Sequence, residues 1–295
     1  MQKPKTITGY DPAVTDLCER VLVTLLRDLG PWKASMYLVG GLVPRYLVED
    51  KPPVVPAHAG TGDIDVLIKL EMLAETEAYN TLEENLKKIG FKPRLNDKGN
   101  VDKWGWFLKE GKTVIVLELL ADDPKVAGAK VKPLPTDGNI SALNIPHASI
   151  VFDEHETRNV TAELLGEGGK ATETIRHANL VSFVCLKAFA FDQRREPKDA
   201  HDILYCVEFA PGGVDGAAAK LQAASKGKHG KTVKSALEIL AARFATDKYA
   251  KGHEKDGPVA AAKFELGADG DKDKRILKQR DAASLIEELL KKLGA

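Results

Sequence analysis

The chain has 295 residues, 43% of them hydrophobic and 29% charged, with 43 basic side chains against 43 acidic ones. That length buries a substantial core in two domains, and zero net charge argues against bulk electrostatic binding of nucleic acid. No run of about 18 apolar residues could span a membrane, the first residues MQKPKTITGYDPAV lack the apolar core of a signal peptide, and Cys18, Cys185 and Cys206 have no paired spacing, so a cytoplasmic protein with buried thiols is expected.

Asp11-Pro12 reads as an N-cap with proline at the first helical position, and apolar spacing carries that helix through Leu29. Met36-Tyr-Leu-Val39 predicts a short buried strand running into Gly40-Gly41, then a short helix containing Pro44, Arg45 and Leu47. Residues 50–62 are rich in Pro and Gly and form a loop to a strand that starts at Asp63. A helix is expected over 71–89. Trp104–Leu108 and Thr113–Leu120 flank Lys109-Glu-Gly-Lys112, a hairpin signal, and further strands are expected near 148–152, 158–164 and 171–177. Beyond about residue 178 the pattern is helical, with helices over Leu180–Gln193 and Lys198–Phe209 and near 214–225, 231–246 and 281–293. The segment 247–275 carries no assignable pattern, and there is no internal repeat. The reading is a mixed α/β domain over 1–178 followed by a helical domain over 179–295.

The acids of that first domain are the most informative feature. In Gly60-Thr-Gly-Asp63-Ile-Asp65-Val-Leu-Ile68 the alternation of a strand sends Asp63 and Asp65 out of the same face. Two carboxylates about 7 Å apart along a strand can lean together on one magnesium ion, or on two ions about 4 Å apart. Such ions want hard oxygen ligands, few of them from protein. The plain alternative is two solvated acids at a strand end, but acids at the mouth of a buried strand need a reason. Upstream, main-chain N–H groups at the Gly40-Gly41 turn can cradle phosphate with no side chain in the way. A third carboxylate is expected from a neighbouring strand. Glu118, an acid inside Thr-Val-Ile-Val-Leu-Glu-Leu-Leu120, is the candidate, with Asp122 and Asp123 available through a register slip.

A third cluster lies at 186–203, where Lys187, Arg194 and Arg195 share one helix and Lys198, Asp199 and Asp202 open the next. Acids in a first turn and bases in a last turn also suit the helix dipole. Lys187 is more telling, because it interrupts the apolar run LVSFVCLKAFAF and must snorkel or face an anion.

Gly40-Gly41, Thr61-x-Asp63-Ile-Asp65 and Lys187 with Arg-x-x-x-Lys198-Asp199-x-x-Asp202 together resemble the AbiEii proteins, nucleotidyltransferase-fold toxins of type IV toxin–antitoxin systems. Over roughly 36–210 the resemblance implies an α+β fold, a mixed-sheet polymerase-β-like nucleotidyltransferase domain followed by a helical domain. It implies that Gly40 and Gly41 hold the triphosphate and that Asp63 and Asp65 bind Mg2+; Glu118 is the expected third metal ligand of a two-ion site, and Arg45, Thr61 and Lys198 are expected at the nucleotide. Lys187, Asp199 and Asp202 would complete the catalytic set. The implied reaction is in-line attack on the α-phosphorus of an NTP with pyrophosphate leaving. The implied partners are tRNA as acceptor and an antitoxin protein, with no membrane. The sequence departs from the pattern where Leu42-Val43-Pro44 follows the glycines and where the loop 50–62 is Pro-rich.

Three other patterns point elsewhere. Ser225-Lys-Gly-Lys-His-Gly230-Lys231-Thr232 ends like a phosphate-binding loop but lacks the first glycine and a preceding strand. Asp269-x-Asp271-x-Asp273 begins like a calcium loop, yet Lys274 stands where glycine is required. His58, His147, His155, His177, His201, His229 and His253 have no zinc spacing with the cysteines. From Gly212 onward, 17 basic residues face 12 acidic ones, a tail of +5 that favours a polyanionic acceptor over a basic small molecule such as an antibiotic. Solvated helix faces are the plain alternative for that tail. A nucleotide-binding module of the same fold without turnover, or a metal-dependent phosphodiesterase, would need the same carboxylates.

Overall fold

The computed structural model describes residues 3–74, 76–96, 98–126, 131–134, 139–166 and 168–294. Its helices are α1 (Pro12–Asp28), α2 (Pro44–Leu47), α3 (Leu70–Ala74), α4 (Thr76–Ile89), α5 (Ile150–Asp153), α6 (Leu180–Arg194), α7 (Pro197–Phe209), α8 (Gly213–Ser225), α9 (Gly230–Phe244), α10 (Asp256–Leu266) and α11 (Lys272–Leu293). Its strands are β1 (Met36–Val39), β2 (Asp63–Ile68), β3 (Lys92–Leu95), β4 (Val101–Glu110), β5 (Thr113–Ala121), β6 (Lys132–Pro133), β7 (Leu143–Asn144), β8 (His155–Glu163) and β9 (Lys170–Ala178). The molecule is an α+β protein with a mixed sheet. Among the described residues no helix is long and apolar enough to cross a membrane.

Two compact units divide the chain. One comprises Asp11–Val43 and Gly60–Ala178, the other Met1–Tyr10, Pro44–Ala59 and Asn179–Ala295. The first holds the sheet, in the order β3-β4-β5-β2-β1-β9-β8, with β7 beside β5 and β6 beside β7. The β2–β5, β1–β9 and β5–β7 pairs are parallel, and the others antiparallel. Central β2 is buried at Ile64, Val66, Leu67 and Ile68, which is why its apolar run is continuous. Helix α1 opens as its sequence dictates: Asp11 accepts from the Ala13 N–H, and Pro12 takes the first position. Its stripe of Cys18, Val21, Leu22 and Leu25 follows helical spacing and is buried where α1 packs on β8 and β9.

The second unit is helical. Asn179 caps α6 by accepting from the Ser182 N–H, and α6 ends at Arg195, whose left-handed φ of 53° turns the chain into Pro197 and α7. Helix α6 packs on α7 and α9, α7 on α10, and α11 on α8 and α10. Phe191, Phe244, Phe264, Leu221, Leu240 and Ile286 form its core. Val55 and Ala59 of the Pro-rich loop are buried as well.

One expectation is corrected here. The apolar run near 148–152 is not a strand but the tail of a turn and the short helix α5. The helix expected over 71–89 is present as α3 and α4, which flank residue 75, a position outside the described residues. The unassigned segment 247–275 contains α10. Ser225 ends α8 and Gly230 starts α9, so the phosphate-loop pattern is a helix–helix corner with no strand before it. Asp271 is the N-cap of α11, accepting from the N–H groups of Asp273 and Lys274 at 2.9 and 3.1 Å, which accounts for its acid-rich neighbourhood without calcium.

Candidate functional site

Register builds the first half of the site. Asp63 and Asp65 are partly exposed on one face of β2, and Asp65 lies between Val39 of β1 and Glu118 of β5. Glu118 therefore leaves the same face, one strand away. Gly40 opens the tight turn Gly40–Leu42 directly after β1, with φ +71°. A Cβ at Gly40 would fall 1.8 Å from Asp65 Oδ2. The Asp65 carboxylate thus occupies the room a side chain would take, so the glycine turn and the acid pair are one structure. Gly41 is buried in the same turn.

Thr61 is buried, and its hydroxyl accepts from the Asp63 N–H at 3.1 Å and donates to the Asp63 carbonyl at 3.2 Å. Its own N–H donates to Thr15 Oγ1 of α1 at 3.0 Å. Thr61 anchors the start of β2 to α1, so its hydroxyl positions the acids. Beneath it, the Cys18 thiol donates to the Thr61 carbonyl at 3.7 Å. Burial, and then the charges of Asp63 and Asp65, push that thiol's pKa up, so it stays neutral.

Glu118 is engaged elsewhere. Its Oε1 accepts from Arg94 Nη1 at 2.8 Å, while Arg94 Nε donates to Asp102 Oδ2 at 3.2 Å and the guanidinium lies 4.2 Å from the Trp104 ring centre. Among the described residues, Asp63, Asp65 and Glu118 do not bring three ligand atoms within 4.8 Å of one another. Asp122 Oδ2 accepts from the Ser149 N–H and Asp123 Oδ1 from the Lys125 N–H, each at 2.9 Å. Both of those acids serve turns. The donor set of Asp63 and Asp65, two partly exposed carboxylates beside the Gly40-Gly41 turn, fits a hard divalent ion that takes its other ligands from water and phosphate.

The expected residues of the helical unit form their own cluster. Lys187 is buried, with Nζ 2.9 Å from Asp199 Oδ1 and 2.6 Å from Asp202 Oδ2. Arg194 grips Asp199 bidentately at 2.7 and 2.9 Å, and Lys198 donates to both oxygens of Asp202 at 2.8 and 3.0 Å. Burial alone would raise both carboxyls. The Lys187 ammonium outweighs it, with Arg194 at Asp199 and Lys198 at Asp202, and holds both below the usual carboxylate range. Burial alone would likewise lower Lys187, but Asp199 and Asp202 raise it. Lys187, Asp199 and Asp202 stay charged at neutral pH, whereas burial lowers Lys198 against the pull of Asp202. Arg45 sits on α2, half-buried.

Two histidines join this cluster that sequence spacing did not mark. His58, from the Pro-rich loop, lies 2.9 Å from Asp202 Oδ1, and its ring stacks on His201 with centroids 5.5 Å apart. His201 Nδ1 pairs with Glu265 at 2.9 Å, while its Nε2 is buried with no hydrogen-bond partner among the described residues. His58, His201 and Asp202 offer ligand atoms within 4.8 Å of one another. Asp202 is nevertheless taken up by Lys187, Lys198 and His58, and two ammonium groups against the carboxylate oppose a further cation there. The His58 signal was out of reach in sequence, 144 residues from its partner. Arg94 was equally silent, in a four-residue strand with no alternation.

A scan against family models finds none that matches this chain, and a search of curated proteins finds no match.

Proposed function

We propose that the chain is a magnesium-dependent nucleotidyltransferase of polymerase-β-like fold, acting in the cytoplasm, which transfers an NMP from an NTP to an acceptor. The AbiEii-like residue pattern makes tRNA the acceptor class to test first and an antitoxin protein the partner to seek. One observation carries the reading: Asp65 Oδ2 fills the space that a side chain at Gly40 would need. A glycine turn open to phosphate and a divalent-ion carboxylate therefore meet at one point on the sheet. A bound magnesium ion would neutralise phosphate oxygens there. The Gly40-Gly41 main chain lets a triphosphate approach closely, and Thr61 holds the acids at the strand mouth. In the helical unit, Lys187, Asp199 and Asp202 are fixed by mutual ion pairs, a rigidity suited to positioning.

A second reading, a nucleotide-binding module without turnover, is favoured by the ion pair that ties Glu118 to Arg94. Incubation of the protein with Mg2+, each α-labelled NTP in turn and total tRNA separates the two. Label on tRNA that disappears in Asp65→Ala supports transfer. Mg2+-dependent NTP binding with no label on RNA, protein or small molecules moves the binding module to first place.

A further inference from the structure

We propose that Arg94 is the fixed phosphate-binding cation of this sheet face and that Glu118 is its anchor, not a metal ligand. The inference rests on the reading of Asp63 and Asp65 as a cation and nucleotide site. Glu118 leaves the same face as Asp65, one strand over, yet its carboxylate is turned to Arg94 Nη1 at 2.8 Å. The guanidinium is held from two further sides, by Asp102 Oδ2 at 3.2 Å and by the Trp104 ring at 4.2 Å. The backbone is shaped around it. Gly105 is the β4 register partner of Glu118, and a Cβ there would come within 2.9 Å of Arg94 Cζ.

A guanidinium held by two carboxylates and an aromatic face keeps one geometry, and that preorganisation is what a bidentate phosphate contact requires. Among the described residues Arg94 Nη2 has no hydrogen-bond partner, and the side chain is 30% exposed, so part of the donor fork faces solvent. A phosphate chain bound through a divalent ion at Asp65 lies one strand spacing, about 4.8 Å, from the register position of Glu118. Recruiting Glu118 to the metal would strip Arg94 of a counter-ion beside the metal's own charge. The arrangement thus leaves the ion two protein carboxylates and gives the third position to a cation for phosphate.

The test uses the full chain with Mn2+ and inorganic triphosphate, which needs no knowledge of the base. Mn2+ binding is read by electron paramagnetic resonance and triphosphate binding by calorimetry. Glu118→Gln is expected to hold Mn2+ within about twofold of the unsubstituted chain, whereas Asp65→Asn loses it. Arg94→Gln is expected to weaken triphosphate about tenfold or more, as for one charge-assisted hydrogen bond, with Mn2+ affinity kept. Arg94→Lys, which retains the charge but not the fork, recovers only part, and near-ultraviolet circular dichroism checks that each variant folds. A loss of Mn2+ in Glu118→Gln as large as in Asp65→Asn would make Glu118 a ligand and overturn the inference while leaving the parent reading intact. Unchanged triphosphate affinity in both Arg94 variants would overturn it as well. Mn2+ binding indifferent to Asp65→Asn would overturn the parent reading and this inference with it.

Discussion

Two constraints meet at the α-carbon of Gly40. Its φ of +71° is a left-handed conformation that costs an L-residue roughly 1–2 kcal/mol, and the place of a Cβ is already filled by Asp65 Oδ2. Gly40→Ala therefore strains the turn and drives the carboxylate aside. Urea denaturation should show a loss of about 1–2 kcal/mol, and Mn2+ titration should show weakened binding. A variant that keeps both would mean that Asp65 is placed by something other than this glycine. His58 gives a second residue-scale effect, on pH. Burial lowers its imidazole to about 4 against the hydrogen bond to Asp202, whereas an unfolded histidine titrates near 6.5. Between those values the unfolded chain binds a proton that the folded chain does not, so stability falls as pH drops from about 6.5 to 4. The loss attributable to His58 is at most about 3 kcal/mol. His58→Gln keeps a donor for Asp202 and removes the titration, so urea midpoints across pH 7 to 4 should fall less steeply in the variant. The buried His177, also lowered by burial, keeps a residual slope in both proteins.

Among the elements, those with long-period patterns were legible and those made by context were not. Strand β1, the start of β2 and the α6–α7 pair follow from apolar runs bounded by Gly, Pro and a capping Asn. Helix α5 has four residues in an apolar run that reads equally as strand, and β3 is Lys-Pro-Arg-Leu with no alternation. The candidate site divides in the same way. Local spacing placed Asp63, Asp65 and the Lys187–Asp202 cluster, whereas the partner of Glu118 comes from β3, 24 residues upstream, which only pairing reveals. Capping gives this scale its prediction. Asp271 satisfies two N–H groups at the start of the 22-residue helix α11. Asp271→Ala should cost about 1 kcal/mol, within the range of 0.5–2 for such caps. Millimolar calcium should leave the Tm of the unsubstituted chain unchanged. A calcium-dependent rise in Tm that Asp271→Ala removes would reinstate the calcium-loop reading.

At the scale of the whole chain, the compact units do not follow one cut. The helical unit takes its residues from Met1–Tyr10, Pro44–Ala59 and Asn179–Ala295. A break near residue 178 therefore strands the middle segment from its partners. His58 would lose Asp202 and the ring of His201, and the Pro56 carbonyl would lose the Tyr205 hydroxyl, 2.9 Å away. Helix α2 would lose α7, on which it packs. Tyr46, Leu47, Val48 and Val55, all buried in the intact chain, would then sit in a segment without its helical core. An expressed 1–178 fragment should consequently bind a hydrophobic dye and be cleaved within 44–59 by a low dose of protease, while the full chain resists at those sites. The sheet's own register does not involve 44–59, so amide exchange in β2 and β5 should stay slow in the fragment. If 44–59 is as protected in the fragment as in the full chain, the segment is held by the sheet unit, and the helical unit begins at Asn179.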